Sequence, residues 1–167
     1  EIIQSLNAPR VIMIPDQYLA RNIAAQTGVE VITHPGACEV HERFTPQDIR
    51  TIRQDYPGVT VMAHPECPPE VVAEADYSGS TAQMLSFVDR EHPRSLALIT
   101  ECSMSDNIAA AHPEIDMVRP CNLCPHMKRN TLASIRAALE QDRHEITVDP
   151  ATAAKAKVAI EKMLAVK

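Results

Sequence analysis

The sequence predicts an α/β protein with helices layered around short parallel strands, and three observations carry that prediction. Short apolar runs alternate with segments of helical period along the whole chain. The connections between them are short, with nothing like a flexible linker. One strand–helix–strand unit recurs about 85 residues further on. Alternation of this kind is the mark of helices packed on parallel sheets.

Taken in order, "EIIQSL" reads as part of an amphipathic helix, and "RVIMIP" (10–15) as a buried strand ended by proline. "DQYLARNIAAQTG" follows at helical spacing, with Asp16 to cap its start and Gly28 to close its end. "EVITHPG" is the next strand. In "TPQDIRTIRQDYPG", Thr45 is the N-cap, Pro46 takes the first helical position and Asp48 faces the free amides. "VTVMAHPE" predicts a strand running into a loop, and "PPEVVAEADY" a helix. "GSTAQMLSFVDRE" places glycine and two hydroxyls where a helix should start. "SLALIT" (95–100) is a strand, "SMSDNIAAAHP" a helix, "DMVRP" a short strand and "NTLASIRAALEQ" a helix. "HEITVD" predicts a last short strand, before a helix capped by Asp149 with Pro150 behind it.

The repeat aligns "VIMIPDQYLARNIAAQTGVEVITHPGACEVHERF" with "LALITECSMSDNIAAAHPEIDMVRPCNLCPHMKR". Asn22-Ile23-Ala24-Ala25 falls on Asn107-Ile108-Ala109-Ala110 and Pro35 on Pro120, both 85 residues apart; with one inserted residue Cys38 falls on Cys124. Each cysteine is followed by a histidine, His41 and His126. Both cysteines lie past the carboxyl end of a strand, where α/β units bind ligands. Repeated modules about a pseudo-symmetry axis would bring such cysteines to one centre. Any two β-α-β units share some likeness by chance; if the repeat is more than that, Cys38 and Cys124 are the ligating pair, rather than the adjacent Cys121-x-x-Cys124 alone.

Of the 167 residues, 45% are hydrophobic, enough for a real core, and 3% are aromatic with no tryptophan. The core is therefore expected to be aliphatic, with Met62, Met84, Met104 and Met127 as packing residues. A net charge of −6 and the lack of a long basic run argue against nucleic acid. No apolar run approaches a membrane span, and no signal peptide opens the sequence. Five cysteines do not read as a disulfide framework in a chain this long, so a reducing, cytoplasmic setting is expected.

"PDQYLARNIA", "HPGACEVHERF", "AHPECPPEV", "GSTAQML" and "CNLCPHMKRNTL" together resemble the quinolinate synthase family nearly end to end. The resemblance implies three similar αβα three-layer modules about a pseudo-threefold axis, each giving one cysteine to a four-iron, four-sulfur cluster. It implies condensation of iminoaspartate with dihydroxyacetone phosphate to quinolinate for NAD, with coupling to an L-aspartate oxidase or dehydrogenase that supplies the iminoaspartate. Residues 1–37 would be the C-terminal part of one module, 38–123 a complete module and 124–167 the closing helices and short strand. The first cluster cysteine would lie upstream of Glu1, so the chain is expected to be the C-terminal half or more of such an enzyme.

Within that resemblance, Cys38 in "GACEVH" and Cys124 in "CPHM" match the second and third cluster cysteines, soft thiolates suited to iron and sulfide. Glu66 is the candidate general acid/base, with His64 and Pro65 beside it at the substrate. Ser80 and Thr81 offer hydroxyls and a helix N-terminus to a carboxylate or phosphate, with Thr81 the first choice. Cys121 is a candidate for an exchangeable disulfide with Cys124, while Cys67 and Cys102 read as core or loop thiols. His41 and His126 read as helix-start polar groups or as neighbours of the cluster. The rival reading is a non-catalytic zinc-binding or regulatory domain holding its ion through Cys121, Cys124 and a histidine.

Overall fold

The computed structural model describes residues 1–120 and 122–166. A short helix α1 (Ile2–Ser5) precedes β1 (Arg10–Met13), α2 (Gln17–Thr27) and β2 (Glu30–Thr33). After a 3₁₀ turn at His41–Arg43 come α3 (Pro46–Asp55), β3 (Thr60–Ala63), α4 (Pro69–Val72), β4 (Tyr77–Ser78), α5 (Thr81–Glu91), β5 (Ser95–Ile99), α6 (Cys102–Ala111) and β6 (Asp116–Val118). A second 3₁₀ turn at Met127–Arg129 leads to α7 (Leu132–Gln141) and α8 (Pro150–Leu164). β1 and β2 pair with each other, while the larger sheet runs β4-β3-β5-β6, and every pairing is parallel.

Most helix ends form as their side chains dictate. The Asp16 carboxylate accepts the Leu19 amide at 2.7 Å, and Gly28 closes α2 at φ 66°, a left-handed conformation that a residue without Cβ adopts freely. Thr45 and Asp48 form a reciprocal capping box, as do Ser80 and Gln83. Asp149 accepts the Thr152 amide at 2.8 Å behind Pro150.

Side chains of the larger sheet alternate between its two faces, as pleating requires. Val61, Ala63, Ala97 and Ile99 pack on Ile49 and Ile52 of α3 and Val71 of α4. Met62, Leu96 and Leu98 face the other way, onto Met84 and Val88 of α5 and Met104 and Ile108 of α6. This is a three-layer αβα unit with a methionine-rich core on one side. Met127 departs from its expected packing role, being exposed on the rim of a cleft described below.

Two expected elements differ. No strand forms over 144–149, because no neighbouring strand takes up its backbone groups; Ile146 and Val148 stay exposed. The helix expected over "PPEVVAEADY" stops at Val72, and Tyr77–Ser78 instead joins β3 as an edge strand.

The repeat is structural. Arg10 pairs with Glu30 as Ser95 pairs with Asp116, and the Gln17 amide donates to the Gly36 carbonyl as the Cys102 amide donates to that of Asn122. The likeness continues through both 3₁₀ turns into α3 and α7, each opened by a threonine capping box at Thr45 and Thr131. The inserted residue enters earlier than the sequence alignment put it. Residues 28–29 connect α2 to β2, whereas 112–115 connect α6 to β6. Pro35 and Pro120 are therefore one position out of register, and the equivalent of His41 is Met127 rather than His126.

The two ends of the chain are less covered than its middle. Ile12 and Ile32 of the β1–β2 pair are exposed, and neither α7 nor α8 has a buried residue. Among the described residues no helix is long and apolar enough to cross a membrane.

Candidate active site

Cys38, His64, Glu66, Thr81 and Cys124 all line one cleft of about 510 Å³ at the carboxyl ends of β3 and β5. Parallel strands deliver them there: β3 ends at Ala63 and runs into His64-Pro65-Glu66, while β5 ends at Ile99 and runs into Thr100-Glu101. Thr81 is the first residue of α5. Ser80 and Pro65 lie outside the lining. The Ser80 hydroxyl and amide are engaged with Gln83, and the Pro65 carbonyl accepts the Asn22 side-chain amide at 2.8 Å. Asn22 also donates to the Cys67 carbonyl at 3.0 Å, so one buried amide on α2 fixes the whole loop after β3.

The two cysteine loops are joined to each other. The Asn122 side chain donates to the Val40 carbonyl at 3.3 Å, and His126 Nε2 lies 2.9 Å from the Glu39 carboxylate. Two acids set the backbone of each loop in the same way. Asp16 caps α2 with one oxygen and accepts the Cys38 amide at 2.9 Å with the other. Glu101 caps α6 through the Ser103 amide at 2.7 Å and accepts the Cys124 amide at 3.3 Å. Both thiols are free and half-buried.

Beside Cys38 stands a histidine–carboxylate cluster. His41 is buried, with Nδ1 3.0 Å from Glu66 Oε2 and Nε2 2.9 Å from the Thr100 hydroxyl. Its ring stacks on His64 at 4.4 Å between centroids and 10° between planes. The Glu66 amide donates to His64 Nδ1 at 3.3 Å, which leaves the His64 proton on Nε2. The hydrogen bond from His41 holds the Glu66 carboxyl below its ordinary value against the opposing effect of burial, and the Cys38 thiol adds a further hydrogen bond. Burial, then the neighbouring His41, push His64 below its ordinary value. Near neutral pH the pair is an ionised carboxylate next to an uncharged imidazole.

Cys67 is fully buried, donates weakly to the Ile99 carbonyl at 3.5 Å, and burial pushes its thiol up to about 12. It is a core thiol rather than a ligand. Cys102 is disulfide-bonded, which takes it out of the core-thiol class expected of it. Cys121 lies outside the described residues, and the thiol of Cys124 expected to bond it is free.

The donor chemistry of Cys38 and Cys124 suits an iron–sulfur cluster, and both open onto the same cleft. They are soft donors on clasped loops, with Val40, Leu85, Met104 and Met127 giving the cleft an apolar wall.

Glu101, the Glu66 and Thr100 contacts of His41 and the second role of Asp16 are not legible from motifs. Glu101 was within reach, since it stands 85 residues after Asp16 at the same strand-to-helix junction. His41 was readable only as a candidate neighbour of the cluster paired with His126, whereas the structure places Met127 opposite it.

Residues 1–165 match the family model described as NadA, quinolinate synthetase A protein. Quinolinate synthase 2 of Mesorhizobium japonicum is 65% identical over 165 residues, 99% of this chain and 51% of that protein. Quinolinate synthase of Agrobacterium fabrum is 60% identical over 98% of this chain and 48% of its own length, and that of Xylella fastidiosa strain 9a5c 57% over 99% and 49%. The chain thus spans about half the length of the curated relatives it matches. With a matching family model over nearly every residue, the chain belongs to the quinolinate synthetase A family.

Proposed function

We propose that this chain is the part of a cytoplasmic quinolinate synthase that carries two cluster cysteines and the acid–base group, acting in NAD biosynthesis. The substrates proposed for the whole enzyme are iminoaspartate, supplied by an L-aspartate oxidase or dehydrogenase, and dihydroxyacetone phosphate. One observation supports this most strongly: two clasped cysteine loops and the Glu66–His64 pair open onto the same cleft.

Cys38 and Cys124 would hold a four-iron, four-sulfur cluster with a third cysteine from elsewhere in the protein, and a bound cluster supplies Lewis-acid polarisation of a substrate hydroxyl or carboxylate. The remaining chemistry falls to side chains. Glu66, ionised and oriented by His41, takes and returns protons in dehydration and ring closure. His64 presents Nε2–H to a substrate carboxylate or hydroxyl. Thr81, at the amino end of α5, binds the diacid with its hydroxyl and the positive pole of the helix.

Cys124→Ala in the full-length enzyme is expected to abolish both the brown absorbance of the anaerobically purified protein and quinolinate formation. Retention of both would refute the assignment. Elemental analysis gives a second check: iron with acid-labile sulfide supports the cluster, whereas stoichiometric zinc alone supports the rival reading.

A further inference from the structure

At the opposite, amino-terminal edge of the larger sheet, a second group of ligating side chains takes no part in the proposed chemistry. α5 and α6 lie on the same face of the sheet, so their carboxyl ends come together. Each ends in a histidine: His92 caps α5 in a left-handed conformation at φ 44°, and His112 caps α6. The rings meet edge to face at 6.1 Å. Glu114 follows in the 112–115 connection, which is where the second repeat carries its inserted residue.

His112 is the centre of the arrangement. Its side chain is 14% exposed, with Nδ1 3.2 Å from Glu114 Oε1 and Nε2 2.9 Å from Asp89 Oδ1. One ligand atom each from His92, His112 and Glu114 fall within 4.8 Å of one another. Two ligands about 2.0–2.1 Å from a tetrahedral zinc stand about 3.3 Å apart, so the Nδ1–Oε1 separation is already that of adjacent ligands. Asp89 takes the other imidazole nitrogen, the carboxylate–histidine–metal relay that fixes ring orientation and raises ligand basicity. The carboxyl poles of two helices add a field that favours a cation. Asp89 and Glu114 are themselves well exposed, which leaves an open path for entry.

We propose that His92, His112 and Glu114 form a binding site for a divalent cation of the zinc class, with water as fourth ligand and Asp89 as the residue positioning His112. Two imidazoles select a borderline metal over magnesium or calcium, which prefer all-oxygen shells. The bound ion would pin the loop between α6 and β6 to the end of α5, far from the cysteines.

The test is calorimetric titration of the intact, cluster-loaded protein with zinc chloride, together with its melting temperature with and without zinc. The expected result is one zinc per chain in addition to the cluster, and a zinc-dependent rise in melting temperature. His112→Ala should abolish both, and Asp89→Ala should weaken binding about 10–100-fold. Glu114→Gln keeps the test decisive if His112→Ala fails to fold, because Glu114 is exposed and its loss should still cost at least about tenfold in affinity. Cobalt(II) in place of zinc should give visible bands without thiolate charge transfer. Unchanged affinity in Glu114→Gln, no zinc binding by the wild type, or a thiolate band with cobalt would each overturn the proposal.

Discussion

Glu66 Oε2 sits between two imidazoles of unequal character, 3.0 Å from His41 and 3.8 Å from His64. The closer, buried one orients it, and the farther, half-buried one presents a nitrogen to the cleft. Under the proposed function, Glu66→Gln keeps the size and removes the proton acceptor, so quinolinate formation by the intact enzyme should fall about 10²–10⁴-fold with the cluster absorbance retained. The same residues set a pH dependence of stability. His64 and Glu66 both bind protons more weakly folded than unfolded, starting from ordinary values of 6.5 and 4.5. Their contributions are therefore complete above those values and are lost as pH falls, His64 first and Glu66 below it. For the cluster-free chain, the urea midpoint should drop between about pH 7 and pH 5, and it should drop less in His64→Gln. Loss of the difference between variant and parent would remove His64 from this account. In the sequence Gly36 stood only as the last residue of the strand segment "EVITHPG". A Cβ there would stand 2.5 Å from the Pro15 carbonyl oxygen, a close approach that no single-residue pattern announces.

α3 and α7 are equivalent helices opened by equivalent threonine boxes, yet they differ in what they bury. α3 inserts Ile49 and Ile52 into the core, whereas α7 has no buried residue. Thr45→Ala should accordingly cost about 1 kcal/mol of global stability in chemical denaturation. Thr131→Ala should leave the midpoint nearly unchanged and reduce only helical circular dichroism. Equal effects would show that α7 unfolds together with the core. Helices and central strands were readable from sequence because their causes are local: caps at Asp16, Thr45, Ser80 and Asp149, and near-continuous apolar runs in "VTVMA" and "SLALI". The strand expected at "HEITVD" had the right residue types but no partner, and β4 formed from an unpromising Tyr77–Ser78 because β3 offered it an edge. Pairing is non-local, and composition does not encode it.

Over the whole molecule, protection is expected to follow burial. Backbone amides of β3 and β5, whose side chains are almost fully buried, should exchange with deuterium slowest, while β1, β2, α7 and α8 should exchange early in the isolated chain. Slow exchange in β1–β2 would show that pair to be as stable as the central sheet. The focus of the candidate site was legible because the repeat implied it, but its chemistry was only half so. The residue types of Cys38, Cys124 and Glu66 announce chemistry, while the contacts by which His41, Asp16 and Glu101 aim them form only on folding. The double engagement of those two acids has a consequence for maturation. Each holds a helix start and a cysteine amide at once, so winding α2 and α6 also sets the backbone of both cysteines. If the proposed cluster assignment holds, an iron–sulfur donor would meet a receptacle organised in advance, and unwinding either helix would scatter it.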